Sequence, residues 1–316
     1  MNYIKEKCVL CGNKELLNKQ TIKISLINKL YKNNLDIDIT TEFKQNSKIN
    51  FVECTNCHLH FFTPVCAGSP NFYEDLQKAT NFYYKNDRYE FLFAKEQIKN
   101  TDCVLEIGAG NASFAETLNV KEYIGLEYNE KAIESAKRKG IKLINQSIQD
   151  YALEKQNYFD VVCSFQVLEH VPDVFEFIDA ALKTIKKGGL LIFGVPSAES
   201  ILTSNINHTL NLPPHHISRW YDKTLKKLPT IFNVDIVDIN HEPLSDKFSK
   251  RYKINKISEK IYNTFLKKNI VISNNKSISF IQKTVKKLVN KFNLMSSFNK
   301  DDKYGESVIF ILKKNE

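Results

Sequence analysis

The sequence predicts an α/β fold: a doubly wound, mostly parallel seven-stranded sheet, preceded by a small N-terminal module and interrupted by a helical insert before its last strand. Three observations carry this. The run Val104-Leu105-Glu106-Ile107 leads into Gly108-Ala109-Gly110, and Tyr123-Ile124-Gly125-Leu126 then ends on the carboxylate of Glu127. From there to Val195, apolar runs of strand length alternate with helical stretches, the pattern of βαβ units in a parallel sheet. Two Cys-x-x-Cys pairs, Cys8/Cys11 and Cys54/Cys57, lie outside that alternation and set the N-terminal segment apart.

The elements follow in order. The first strand ends at Ile107, and Gly110 and Asn111 open a short helix through Leu118. Glu127 closes the second strand; Lys142 to Asn145 forms a third, with Gln146, Ser147 and Ile148 at its carboxyl end. Phe159 to Phe165 is the fourth strand and runs into Gln166-Val167-Leu168-Glu169-His170-Val171-Pro172-Asp173. A helix then extends to Lys186, and Gly188-Gly189 precedes a fifth strand, Leu190 to Val195. Phe232 to Ile239 reads as the sixth strand and Ser307 to Leu312 as the seventh. Between these two, Ile254, Ile257, Ile261 and Phe265 recur at helical spacing, as do Ile281, Val285, Leu288, Val289 and Phe292, giving two amphipathic helices.

Glycines after the first strand let a ligand lie against backbone N–H groups, because no Cβ intervenes. A carboxylate about 20 residues further on is where nucleotide-binding α/β folds hold a ribose diol. The loop is therefore expected to bind an adenosine-containing cofactor. A dinucleotide wants a third Gly or Ala under its pyrophosphate, where this chain has Ser113. Glu106, at the entrance of the loop, would repel a pyrophosphate and attract the ammonium and sulfonium of S-adenosylmethionine.

The pieces Glu106-x-Gly108-x-Gly110, Glu127, FDVVCSFQVLEHVPD and KKGGLLIFGVPS resemble class I S-adenosylmethionine-dependent methyltransferases, closely over residues 100–200 and more loosely beyond. The resemblance implies a Rossmann-like methyltransferase fold and a cofactor site at Glu106, Gly108, Gly110 and Asn111. It further implies that Glu127, with Tyr128 beside it, takes the ribose hydroxyls. Ser147 and Ile148 would border the adenine, and Ser164 and Phe165 would flank the methionine end.

Two residues between thiolates let one tight turn present both sulfurs to a single ion, and two such turns complete a tetrahedral zinc site. Cys8, Cys11, Cys54 and Cys57 are expected to hold a structural zinc in a ribbon-like module. Gly12 eases the first turn, and Phe51-Val52 with Leu59 to Phe62 supplies strands around the second. The long gap between the pairs forms its own excursion. His58, His60 and Cys66 are neighbours rather than ligands in this reading. Cys103 and Cys163 fall in core strands, where a thiol is a small apolar side chain.

At 316 residues the chain can bury a sizeable core in one large domain plus an accessory one. No apolar run reaches the length of a membrane span, and MNYIKEKCVLCG lacks the hydrophobic region of a signal peptide, so a cytoplasmic protein is expected. Residues 245–316 hold 17 Lys or Arg against 6 Asp or Glu, a net charge of +11, whereas the whole chain carries +9. Such a run is ordinarily a solvated surface, but a basic amphipathic insert also suits an anionic membrane or an acidic partner. Nucleic acid is not expected. The positive charge lies away from the cysteines, and Ser164-Phe165-Gln166 stands where base N-methylation carries an Asn/Asp-Pro-Pro signature.

The expected division is a zinc-ribbon module over 1–66, a helical aromatic leader over 67–99, and a methyltransferase domain over 100–316 with its basic insert at about 245–300. Tyr73, Phe82, Tyr83, Tyr84, Arg88, Tyr89 and Phe91 in the leader either cover the cofactor or seal the junction. After the fifth strand, Pro213-Pro214 stiffens the backbone, His215-His216 follows, and a helix is expected around Ser218. The two imidazoles at the ligand-binding rim are candidates for acid–base work, with a rigid structural loop as the alternative and His170 as a competitor for the role. PPHH-x-x-x-W resembles bacterial methyltransferases with N-terminal zinc ribbons from surface-polysaccharide gene clusters, which implies a carbohydrate-like small-molecule hydroxyl as acceptor. C-methylation of a keto-sugar, RNA base methylation and a non-catalytic cofactor-binding subunit are the alternatives.

Overall fold

Two sheets share the chain, and residues that follow the larger one complete the smaller. The computed structural model describes residues 3–4, 6–80, 88–200, 205–244, 246–265, 270–291 and 304–315. Its first part comprises β1 (Tyr3–Ile4), β2 (Leu16–Lys23), α1 (Ile24–Leu35), β3 (Lys48–Cys54) and β4 (His60–Thr63). Helices α2 (Pro70–Ala79) and α3 (Tyr89–Lys95) lead to β5 (Cys103–Ile107), β6 (Glu122–Leu126), α4 (Glu130–Arg138), β7 (Leu143–Ile144) and α5 (Ile148–Glu154). Then come β8 (Phe159–Phe165), α6 (Val174–Thr184), β9 (Ile185–Pro196), β10 (Ser218–Arg219) and α7 (Asp222–Leu225). The last elements are β11 (Val234–Pro243), α8 (Asp246–Phe265), α9 (Lys276–Lys291) and β12 (Tyr304–Lys314).

The larger sheet has seven strands in the order β11-β12-β9-β8-β5-β6-β7. Strands β5 to β9 run parallel, and β12 is antiparallel to both of its neighbours. This is the doubly wound, mostly parallel sheet expected from the sequence. All five residues of β5 are buried, as a central strand covered on both faces requires. Cys103 and Cys163 are buried in β5 and β8. Strand order reverses between β5 and β8, and the crevice at the carboxyl ends of such a pair is where open α/β sheets bind ligands. Helix α4 starts on Asn129, whose side chain accepts from Lys131 N and Ala132 N, and α5 starts on Ser147, which accepts from Asp150 N. Both caps therefore sit at that same carboxyl edge.

Several local expectations are corrected. The helix from Gly110 to Leu118 is reduced to a single 3-10 turn, Ala115–Thr117. Asn111 Oδ1 accepts from Ser113 N and Ser113 Oγ, an alternative to helical bonding, and Ala112 takes a left-handed φ of 61°. The helix after β8 stops at Thr184, so Gly188 and Gly189 lie inside β9.

Ser218 does not start a helix. It pairs with Phe61, and Arg219 with His60, so that β10 becomes the fifth strand of the N-terminal sheet, β1-β2-β3-β4-β10. The buried Arg219 guanidinium lies 4.9 Å from the Phe51 ring centre and donates to Asn211 O at 2.9 Å, an anchorage that a helix there would forfeit.

The basic insert forms its two helices, but their faces differ from expectation. Among the described side chains of α8, Tyr252, Asn255 and Ser258 are buried, while Ile254, Ile257 and Ile261 are half-buried. On α9, Ile278, Val285 and Val289 are buried, Ile281 is half-buried and Leu288 is exposed. The side chain of Phe265 and the whole of Phe292 lie outside the described residues, as do Phe82, Tyr83 and Tyr84. Val271 and Ile272, between the two helices, are buried against the N-terminal sheet, where Gln20 Nε2 donates to Ile272 O at 2.6 Å. No helix among the described residues is long and apolar enough to cross a membrane.

Candidate functional site

At the carboxyl end of β5 the chain turns sharply on Gly108 (φ 74°) and Gly110 (φ 54°). A Cβ on Gly108 would meet Val167 Cγ2 at 2.4 Å, so glycine is what lets the segment after β8 lie against the loop. Gly108 N and Ala109 N donate to Leu126 O, which laces the loop to the end of β6.

Glu127 completes that lacing. Its Oε2 accepts from Gly110 N at 2.7 Å, and its Oε1 accepts from Tyr128 N and Asn129 N. Three of the roughly four lone-pair sites of the carboxylate are thus turned to backbone N–H groups. Tyr128 is exposed beside it. Ser147 Oγ donates to Asp150 Oδ2 at 2.5 Å, and Ile148 is buried.

Glu106 sits at the base of the loop, 2 % exposed, and accepts from Tyr123 OH at 2.5 Å. Burial pushes its carboxyl up to about 8, against the opposing pull of Tyr123 and the Arg88 guanidinium. A cation placed beside it would restore the ionised form. Ser164, also buried, is spent on Ile107 O at 2.8 Å, and Phe165 packs edge-on against Phe91 and Phe114. The glycine loop, Glu106 and the edge made by Glu127 to Ile148 are the residues that could hold an adenosine cofactor.

Beyond Val167, which lies against Gly108, the three candidate histidines come together. The ligand atoms of His170, His215 and His216 all lie within 4.8 Å of one another. His215 and His216 are stacked with ring centres 4.4 Å apart, and His170 meets them at 4.6 and 5.0 Å. Tyr73 of the leader packs edge-on to His170, whereas Tyr89 OH donates to Asn240 and faces elsewhere. Burial lowers His170 to about 4 and holds His215 and His216 well below the ordinary histidine value.

Sequence reasoning missed Glu169, which lies beside two of these rings. Glu169 is buried, and its Oε1 lies 3.6 Å from His170 Nε2 and 4.0 Å from His216 Nε2. Burial pushes its carboxyl up to about 8. Glu169 reads in sequence as part of a common Glu-His-Val-Pro segment. Its adjacency to His170 was visible, but not the return of residues 215–216 from beyond β9.

The four paired cysteines also meet. Their sulfurs lie within 4.8 Å of one another, with Cys8 and Cys57 at 3.5 Å and Cys11 and Cys54 at 3.5 Å. The two turns match: Gly12 N donates to Cys8 O with Gly12 at φ 69°, and His58 N donates to Cys54 O with His58 at φ 61°. His58 therefore occupies the left-handed turn position, His60 Nδ1 is bonded to His58 O, and Cys66 lies in a separate apolar cluster. Among the described residues, four sulfurs at this spacing form a group that could hold one metal ion.

Known proteins share part of this chain. The ubiquinone biosynthesis O-methyltransferases of Proteus mirabilis and Vibrio atlanticus are 25% and 26% identical over 189 residues, covering 52% of this chain and 72% and 75% of their own. Among solved structures, a SAM-dependent methyltransferase from Archaeoglobus fulgidus aligns with 78% of this chain and all of its own, at 18% identity and a TM-score of 0.48. The profile of the methyltransferase domain family matches residues 77–239, just over half of the chain and the stretch that carries β5 to β9 with both the glycine loop and the histidine cluster. By that match the chain belongs to the methyltransferase domain family, and it is an S-adenosylmethionine-dependent methyltransferase.

Proposed function

We propose that this methyltransferase acts in the cytoplasm on a hydroxyl of a carbohydrate-like small molecule in surface-glycan biosynthesis. One observation carries the chemistry: three imidazoles and a buried carboxyl gather on the segment whose Val167 lies against Gly108 of the glycine loop. S-Adenosylmethionine supplies an already activated methyl group, so the protein's work is alignment, exclusion of water and removal of the acceptor proton. That proton leaves at the cluster of His170, His215, His216 and Glu169. The name of the curated relatives supports O-methylation; the PPHH-x-x-x-W element and the cysteine module support the carbohydrate class.

In this reading Glu106 faces the cationic methionine end, where its buried carboxyl is short of a counter-charge. Gly108, Gly110 and Asn111 form the cradle, Glu127 takes a ribose hydroxyl, and Tyr128, Ser147 and Ile148 border the adenine. Ser164 and Phe165 stiffen the wall behind the methyl group. Cys8, Cys11, Cys54 and Cys57 hold a structural zinc, whose all-thiolate donor set they fit. Residues 1–66 are the zinc module, 67–99 the leader and 100–316 the catalytic domain. The basic insert offers a surface for an anionic membrane or an acidic partner.

The test is methyl transfer from labelled S-adenosylmethionine to a panel of sugar nucleotides, free glycans and phenols. His215→Gln and His216→Gln should lower turnover about 10²–10⁴-fold and leave cofactor affinity nearly intact. His170→Gln should disturb both, because Val167, three residues before it, lies against Gly108. Near-wild-type turnover in all three variants would remove the cluster from the reaction, and transfer to phenols alone would replace the carbohydrate acceptor.

A further inference from the structure

We propose that His170, His215 and His216, with Glu169 beside two of them, bind one divalent transition-metal ion, distinct from any metal on the four cysteines. The inference rests on the preceding reading only in placing the acceptor hydroxyl at this cluster. Its first support is the outer bonding of the rings. His170 Nδ1 lies 2.6 Å from His215 O and His215 Nδ1 lies 2.8 Å from Leu210 O. A carbonyl oxygen can only accept, so both rings donate from Nδ1 and carry their lone pair on Nε2. His216 Nδ1 faces Asn211 Oδ1 at 3.3 Å in the same sense. Imidazoles that ligate a metal are oriented by this kind of bond from the opposite nitrogen.

The second support is Glu169. Both of its carboxyl oxygens are buried, and neither has a hydrogen-bond partner among the described residues. Yet Oε1 stands 3.6 and 4.0 Å from the Nε2 atoms of His170 and His216. Those separations are long for hydrogen bonds. They suit neighbouring ligands of one ion, which lie roughly 3–4 Å apart when each bond is about 2.0–2.2 Å. A cation between Glu169 and these two rings would answer the unpartnered carboxylate and the Nε2 lone pairs of His170 and His216 together.

The donor set decides the class of ion. Three imidazoles with one carboxylate favour zinc, cobalt(II), iron(II) or manganese(II) over calcium or magnesium, which prefer all-oxygen shells. One carboxylate leaves a net positive charge, so a hydroxyl oxygen bound there becomes more acidic. In the transfer, the acceptor O–H bond would break and its proton would pass to the free carboxylate oxygen of Glu169. The freed oxygen pair forms the C–O bond as the S–C bond breaks, which leaves a neutral thioether.

The test is cobalt(II) uptake by the full-length, chelator-stripped protein, read by absorption and elemental analysis. Thiolate-bound cobalt gives an intense near-ultraviolet charge-transfer band; an imidazole–carboxylate site adds only weaker visible bands. Wild type is expected to take up two equivalents, one on the four cysteines with the thiolate band and one without it. The double variant His170→Ala/His216→Ala should lose the latter, and Glu169→Gln should weaken it about 10–100-fold. Equal uptake by wild type and a double variant with the same far-ultraviolet dichroism would overturn the proposal. If that variant does not fold, Glu169→Gln decides, since unchanged affinity there would overturn it equally. Loss of turnover in the histidine variants with no such metal in wild type would sink the metal but keep the cluster's role. Metal uptake with turnover indifferent to it would do the reverse.

Discussion

Replacing Glu106 with glutamine should abolish the pH dependence contributed by one buried group. The carboxyl is raised from 4.5 to about 8 by burial. Between those values the unfolded chain has released its proton and the folded chain has kept it, so stability falls as pH rises through this window. Above pH 8 the full cost is present, about 5 kcal/mol for a displacement of this size. Glu106→Gln cannot ionise, and it loses about 1 kcal/mol from the altered bond to Tyr123 OH. Below pH 4 the variant should therefore match or slightly trail wild type, and at pH 9 it should be more stable by about 4 kcal/mol. Urea unfolding of both proteins without cofactor, from pH 4 to 9, measures the difference. Glu169 and Glu242 titrate alike in both proteins and cancel. A difference that does not change with pH would refute the assignment of a neutral Glu106. The same group makes a second statement: a cationic ligand favours its ionised form. S-Adenosylmethionine should then bind wild type up to about tenfold more tightly per pH unit as pH rises towards 8, and the variant without that slope.

Two further outcomes concern the cofactor edge and the cysteines. Glu127→Ala should weaken S-adenosylmethionine binding by about 1–3 kcal/mol in calorimetry, the worth of a charged hydrogen bond. Nicotinamide dinucleotides should not bind the wild-type protein at all, and tight binding of one would contradict the Glu106 argument. Cys54→Ser should abolish a zinc equivalent seen by elemental analysis and loosen the N-terminal sheet in hydrogen exchange, because metal binding and local folding are linked. Metal-free wild-type protein with a fully protected N-terminal sheet would defeat that expectation.

The parts of the fold legible in sequence were those fixed by local pattern. Strands β5, β8 and β9 are built on short apolar runs, Val104-Leu105, Val161-Val162-Cys163 and Leu190 to Phe193, and the glycine turn and the first cysteine turn, with Gly12, declare their own conformations. The parts that were not legible depend on partners far away in the chain. Strand β10 is two residues long and exists because β4, some 150 residues earlier, offers an edge to it. Helix α8 buries Asn255 and Ser258 where apolar periodicity pointed to isoleucines, so no hydrophobic pattern could locate its inner face. At the site, His170, His215 and His216 were each visible singly. Their convergence on Glu169 was not, since it is made by the path of the chain between β9 and β10.

Ile217 joins the two sheets through its own peptide groups: its N–H donates to Glu169 O at 2.9 Å, and its carbonyl accepts from Phe62 N at 3.0 Å. One residue further on the chain is already paired in β10, and Trp220 bridges to Ser197 at the end of β9. The descent of this enzyme is constrained accordingly. Deleting or adding a single residue between Leu212 and Ile217 would slip that register and turn each following side chain to the opposite face, carrying both imidazoles away from Glu169. Length variation, the usual route by which surface loops diversify, is closed to this loop. Nor can the cysteine-bearing sheet be traded between relatives as a cassette, because its fifth strand is encoded more than 150 residues after its fourth.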